Sequence, residues 1–282
     1  MTLAPLNGFF PADYPAGQSF AAAIGEGSPD MQSIEVEIGD ARELQRGATS
    51  EADFFAEHGF VLLPHQTAAR DWDRDVVEVY LPELGTVIRE RLFPGRRVEF
   101  QLFPNILRRG RDTPTPFYAE GVHSDGGRDA DDYVHNIAAF AGDQAANWWR
   151  ARYEREDVER LVWVDFWRLT NMTAPLEHMP LALCDTGTLA AEDLVPTEFT
   201  GIAPEGRPTR HLSLRHNPGQ RWYYYPRMTG EEMLAFKLGE FAKEPGPPRN
   251  CFHTAFRDPA SSLGAEERQS CEYRVGVLIL RD

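Results

Sequence analysis

Cysteine is scarce in this chain of 282 residues: Cys184, Cys251 and Cys271 stand far apart. Three scattered thiols do not make a disulfide framework or a thiolate zinc site. No run of 18 apolar residues is present, so a membrane-spanning helix is not expected. The first residues lack the basic start and apolar stretch of a signal peptide. Basic residues are also few, 29 against 44 acidic ones, for a net charge of −15. Nucleic-acid affinity rests mainly on Lys and Arg contacts to phosphate, so neither DNA nor RNA is the expected partner. These absences point to a soluble, cytoplasmic protein with reduced thiols.

What is present begins with enough apolar material for a core: 42% hydrophobic and 11% aromatic residues. Residues 1–32, rich in Gly, Pro and Ala, read as an irregular N-terminal arm, and 33–282 as a single domain. Ser33–Ile38 alternates polar and apolar residues, as a half-buried strand does. Ser50 followed by acidic residues starts a helix that Gly59 ends, and Phe60–Leu63 follows as a buried strand. Helical spacing runs from Asp71 to Leu92, with Pro82 as a kink or break, and Arg97–Phe103 returns to strand. Beyond residue 120 strands dominate: 133–140, 161–169, 211–216, 221–225, 250–256 and 268–280. Helices are expected at 142–154 and at 229–240, the second from the Thr229/Glu232 capping pair, and a hard turn at 245–248. Short strands preceded by helices predict an α+β domain built round a sandwich or small barrel.

The chemistry-bearing motif is His123-Ser124-Asp125. On extended chain, residues i and i+2 point to one face, so the imidazole and the carboxylate aim at one place. A distant second His would complete two His and one carboxylate on one side of a metal, the arrangement of non-haem Fe(II) oxygenases. His253, after the Pro-rich turn, stands out for that role, and Arg268-Gln-Ser-Cys-Glu-Tyr-Arg274 opens the last strand 15 residues on. Arg268, Ser270, Glu272 and Arg274 share one strand face. An Arg there can clamp a carboxylate through two parallel hydrogen bonds, and Ser270 adds a donor. Either Arg268 or Arg274 suits the clamp. The remaining histidines carry less: His58 sits at a helix end, His65 and His178 in loops, and His211 and His216 face opposite ways on one strand. Aromatics such as Tyr118, Trp167, Trp222 and Tyr224 are candidates for an apolar pocket, although packing is the commoner role of such residues. Asp129, Asp131 and Asp132 read as a solvated loop.

From about residue 40 onward the chain resembles the CmcJ/NvfI-like, or asaB hydroxylase/desaturase, family. The likeness is carried by Phe54-Phe-Ala-Glu-His-Gly-Phe-Val-Leu-Leu63, Val122-His-Ser-Asp125, Phe166-Trp-Arg168 and Pro180–Asp185 with Glu192–Val195. It continues through Arg221-Trp-Tyr-Tyr-Tyr225, Met228–Glu232, His253-Thr-Ala-Phe256 and Arg268–Arg274. The resemblance implies a double-stranded β-helix core (jelly-roll, cupin-like) with flanking helices. It implies Fe(II), 2-oxoglutarate and O2, and hydroxylation or desaturation of a secondary metabolite with release of succinate and CO2. It implies metal ligands His123, Asp125 and His253, with 2-oxoglutarate held at Arg268, Ser270 or Arg274, and places Trp167 and Arg168 in the pocket lining or in support just behind it. Leu169 stands where the family usually has Pro and Gln220 where it often has His, which bears on the substrate and leaves the ligand set intact. The competing expectations are a cupin-like hydrolase or isomerase on the same ligands, and a catalytically silent small-molecule-binding barrel.

Overall fold

The computed structural model describes residues 1–111, 113–244 and 246–281. Its strands are β1 (Thr2–Phe10), β2 (Phe20–Ala23), β3 (Gln32–Asp40), β4 (Phe60–Pro64), β5 (Val98–Phe100), β6 (Leu107–Arg109) and β7 (Val158–Leu169). They continue with β8 (Leu181–Cys184), β9 (Leu194–Thr200), β10 (Thr209–Arg215), β11 (Trp222–Tyr224), β12 (Glu232–Ala242), β13 (His253–Ala255) and β14 (Ser270–Leu280). Helices are α1 (Ala41–Arg46), α2 (Glu51–His58), α3 (Leu81–Val87), α4 (Ala130–Ala141) and α5 (Asp143–Tyr153).

The strands form two sheets. One runs β13-β8-β11-β3-β1-β10-β9-β2, and the other runs β4-β12-β7-β14-β5 with β6 also paired to β14. Neighbours are mostly antiparallel, but β1 with β10, β11 with β3 and β2 with β9 run parallel. In the second sheet β7 and β14 are buried nearly end to end and mostly apolar, as strands covered on both faces are. Tyr133 of α4 and Trp149 of α5 cover part of one face, where the Tyr133 ring meets Trp163 edge-on.

Several local expectations hold. Ser50 accepts a hydrogen bond from the Asp53 N–H to cap α2, and Gly59 closes it at φ 82°. The helical run over 76–92 does not break at Pro82: its winding changes from π-type to α just ahead of the proline, where a ring N replaces an N–H.

Others are corrected. The stretch expected as an irregular arm contributes β1 and β2, and β1 lies inside the first sheet between β3 and β10. Residues 133–140 are helix, not strand, because Asp129 caps α4 by accepting from the Asp132 N–H and puts Asp131 and Asp132 in the first turn. That acidic run is a helix start and not a loop. Residues 229–240, expected as a helix, hold β12. The Thr229 N–H does donate to Glu232 at 2.9 Å, but the contact closes a turn, and Met233 onward pairs with β4 on one side and β7 on the other. Two ladders outweigh one cap. Of the expected turn at 245–248, Pro245 lies outside the described residues.

Candidate metal centre

His123 and His253 are joined through their main chains. The His123 N–H donates to the His253 carbonyl at 3.2 Å, and the His253 N–H donates to the His123 carbonyl at 2.9 Å. This bridge, and one from Ser124 to Leu212, hang the His123 segment on the first sheet beside β13 and β10. Ser124 turns away, its hydroxyl bonded to the Leu238 carbonyl at 3.0 Å. Asp125 sits at the bend that follows, so the triplet is a short extended piece and not a full strand. The two residues flanking Ser124 nonetheless reach the same side, as the i, i+2 argument predicts.

His123 Nδ1 lies 2.7 Å from the Gly121 carbonyl and His253 Nδ1 lies 3.1 Å from the Cys251 carbonyl. A carbonyl only accepts, so both Nδ1 atoms carry the proton and both Nε2 lone pairs are presented inward. Asp125 faces them, Oδ1 3.9 Å from His123 Nε2 and Oδ2 3.6 Å from His253 Nε2. The three donor atoms all lie within 4.8 Å of one another. These separations exceed a hydrogen bond and suit donors about 2 Å from a shared ion. Burial, helped by His253, pulls His123 down to about 4, which keeps its imidazole neutral and able to ligate. Burial opposes ionisation of Asp125, but Arg274 and the two imidazoles outweigh it and hold the carboxyl well below its usual range. The donor set therefore fits a divalent metal.

The cluster opens on a small pocket, partly open to solvent, whose walls come from both sheets. Ala119, Leu181, His253 and Ala255 line one side, and Trp167, Phe236, Arg268, Glu272 and Arg274 the other. Phe236 packs on His253 with ring centroids 4.7 Å apart.

The two arginines differ in what they already hold. Arg274 Nη2 lies 2.9 Å from Asp125 and 2.8 Å from Glu272, and its Nε lies 3.4 Å from Asp165. Arg268 is 1% exposed and has no carboxylate partner among the described residues. One Nη donates to the Met179 carbonyl, and the guanidinium lies 4.1 Å from the Tyr118 ring centroid and 5.5 Å from that of Trp167. Its Nε has no hydrogen-bond partner among the described residues, nor has the buried Ser270 hydroxyl two residues on. Burial pulls Arg268 down to about 9.

Tyr118 donates its hydroxyl to the Arg268 carbonyl at 2.7 Å, and Trp167 lines the cavity. Arg168 and Trp222 are corrections. Arg168, next along β7 from Trp167, points to the opposite face, where it donates to His65 and the Gly230 carbonyl beside the Trp72 ring. Trp222 packs edge-on against Phe9 in the core of the first sheet, away from the cavity. Tyr224 donates to Asp258 at 3.0 Å. Sequence reasoning passed over Asp165 and Arg109 and set His211 aside. Period-two spacing along β7 places Asp165 with Trp167, the signal that was there to read. His211 is buried with Nδ1 3.8 Å from Asp125 and Nε2 2.7 Å from the Thr209 hydroxyl; burial pulls it down to about 4.

A family described as "YDMC: Oxidoreductase/YMDC permease-like domain" matches residues 14–278. The chain belongs to this family. Despite the description, no helix among the described residues is long and apolar enough to cross a membrane. The chain is 32% identical over 111 residues, 39% of its length, to "Aspirochlorine biosynthesis protein N" of Aspergillus oryzae, covering 45% of that protein. To "Hydroxylase/desaturase asaB" of Aspergillus flavus it is 29% identical over 38% of the chain and 53% of the relative. To "Fe(II)/2-oxoglutarate-dependent dioxygenase nvfI" of Aspergillus novofumigatus it is 30% identical over 42% of the chain and 43% of the relative. The matched segments thus span about half the length of these curated relatives or less. The resemblance to the asaB hydroxylase/desaturase and nvfI group is borne out. A solved structure of the iron and alpha-ketoglutarate-dependent endoperoxidase NvfI superposes with TM-score 0.66 at 19% identity, covering 99% of this chain and 97% of that one. A second NvfI structure in a different conformation gives 0.68 at 18% identity over 100% and 98%. At that identity the likeness establishes a shared fold of large β-sheets and few helices.

Proposed function

We propose that this chain is a non-haem Fe(II)/2-oxoglutarate-dependent oxygenase, hydroxylating or desaturating a small-molecule secondary metabolite with release of succinate and CO2. One observation carries the reading. The His123, Asp125 and His253 donors share a cavity with Arg268, a buried cation without a carboxylate partner among the described residues. On this reading the chain is one oxygenase domain whose two sheets make a double-stranded β-helix (jelly-roll, cupin-like) core, with β1 and β2 included in it.

Fe(II), with 2-oxoglutarate and O2, would supply the oxidation of a C–H bond. His123 and His253 present their Nε2 atoms and Asp125 its carboxylate, all from one side, so the side toward Arg268 stays open. Arg268 offers a carboxylate two parallel N–H donors, and Ser270 adds a hydroxyl. Tyr118 and Trp167 fix the guanidinium by stacking, which spares 2-oxoglutarate the cost of ordering it. Trp167, Phe236, Leu181 and Ala255 give apolar walls that keep water off the reacting carbon. A hydrolase on the same three ligands has no use for an unpaired buried arginine, and this favours the oxygenase.

The test is Fe(II)-dependent consumption of 2-oxoglutarate and O2, with succinate as the measured product. Turnover should occur slowly even without the metabolite and should disappear in His123→Ala and His253→Ala. Metal-loaded protein that consumes neither co-substrate, or a His253→Ala variant as active as the parent, would sink the reading.

A further inference from the structure

Resting on that reading, we infer that Arg109 is a second holder of the far carboxylate of 2-oxoglutarate, acting together with Arg268 and Ser270. Arg109 ends β6, where it pairs directly with Ser270 of β14. Directly paired residues of antiparallel strands project to the same face, so Arg109 emerges beside the Ser270 hydroxyl and the approach to Arg268. It lines the same cavity.

Among the described residues Arg109 is poorly occupied there. Its Nη2 is 3.4 Å from Glu272 Oε1, and its Nη1 is 3.4 Å from the Phe117 carbonyl. The Glu272 oxygen is the one that Arg274 already holds at 2.8 Å. Guanidinium-to-carboxylate bonds are ordinarily about 2.7–2.9 Å, so Arg109 has donors to spare although only 16% of its side chain is exposed.

The two guanidiniums face one enclosure. The charge of Arg109 adds to burial in depressing Arg268, a mark of like charges close together. Two cations turned on one cavity repel unless an anion lies between them; Glu272, the carboxylate that acts on both, is held more closely by Arg274, which also binds Asp125. Arg268 Nε, on a residue that lines this cavity, and the buried Ser270 hydroxyl two residues on have no hydrogen-bond partner among the described residues. Four-fold donation from two arginines and a hydroxyl is the chemistry that recognises a carboxylate. A dicarboxylic 2-oxo acid can satisfy it while its other end reaches the His123 side.

The experiment titrates anaerobic Co(II)-loaded protein with 2-oxoglutarate and, separately, with 2-oxobutyrate, which lacks the far carboxylate, by calorimetry. Arg109→Ala should weaken 2-oxoglutarate at least about tenfold and leave 2-oxobutyrate unchanged; Arg268→Ala should do the same more severely. Arg109→Lys, which keeps the charge and loses the fork, should fall between. Equal 2-oxoglutarate affinity in Arg109→Ala and parent overturns the inference while leaving the oxygenase reading standing. A parent protein that does not prefer 2-oxoglutarate over 2-oxobutyrate overturns both. If Arg109→Ala loses both acids, Arg109→Lys decides: selective loss of 2-oxoglutarate supports the role, and parent-like affinity overturns it.

Discussion

Arg274 Nη2 lies 2.9 Å from Asp125 Oδ2, so the carboxylate of the His-x-Asp triplet is ion-paired across the cavity to β14, the strand that Arg268 leads into. This contact separates two arginines that look alike in sequence. Arg274 is engaged by three carboxylates and Arg268 by none among the described residues.

Their substitutions should therefore diverge. Arg268→Ala is expected to raise the 2-oxoglutarate requirement with little change in metal affinity. Arg274→Ala is expected to lower stability by about 2–3 kcal/mol, since it strands the buried Asp125 carboxylate. The figure sits below that of a fully buried pair because a quarter of the Arg274 side chain (26%) is exposed. Urea unfolding and 2-oxoglutarate titration of both variants check this; reversed effects would move the clamp to Arg274.

Gly126 bears on the ligand beside it. A Cβ there would stand 2.0 Å from the Leu238 carbonyl oxygen, which belongs to the β12 backbone and has no side-chain freedom to yield. Gly126→Ala should displace Asp125, reduce metal affinity and cost about 1–3 kcal/mol. Gly121→Ala, with nothing within 4 Å of its Cβ, should bind metal as the parent does. Unaltered affinity in Gly126→Ala would show that the bend after Asp125 is not set by this contact.

A pH dependence is expected far from the site. His58 Nδ1 lies 2.8 Å from Asp185, and that hydrogen bond, against an opposing burial cost, raises the His58 pKa. The folded state then holds its proton more tightly than the unfolded chain, whose His titrates near about 6.5. The stabilisation is complete below that value and is lost as pH rises through the folded-state pKa. Melting temperature should therefore fall from about pH 6 to about pH 8, and the fall should shrink in His58→Gln. A slope that survives in His58→Gln would exclude this pair as its source.

The parts legible in the sequence are those set by short-range rules. Ser50 and Gly59 mark a helix by capping chemistry alone, and His123 with Asp125 obeys the period of extended chain. The Arg268 to Arg274 face could be read for the same reason, and three of its four members do reach the cavity. What was misread depends on distant partners. Thr229 and Glu232 form their local contact, yet β4 and β7 claim the residues that follow. The Gly- and Pro-rich first residues look unstructured until β3 and β10 are available to pair with them. Trp167 and Arg168 are adjacent, so a strand sends only one of them to the cavity, and composition does not say which. Arg109 had no motif to announce it; only its register opposite Ser270 brings it in.

The cavity is walled by both sheets, with the three donor residues carried by the β13 side and the arginines by the β14 side. In mechanical terms the molecule is a vice with two plates. Any ligand anchored at both ends fixes the distance between the plates, and stiffness gained in the cavity is felt along every strand hydrogen-bonded to either one. Occupancy should then be readable at a distance, as slowed amide exchange in β1 or β4, strands that contribute no side chain to the cavity.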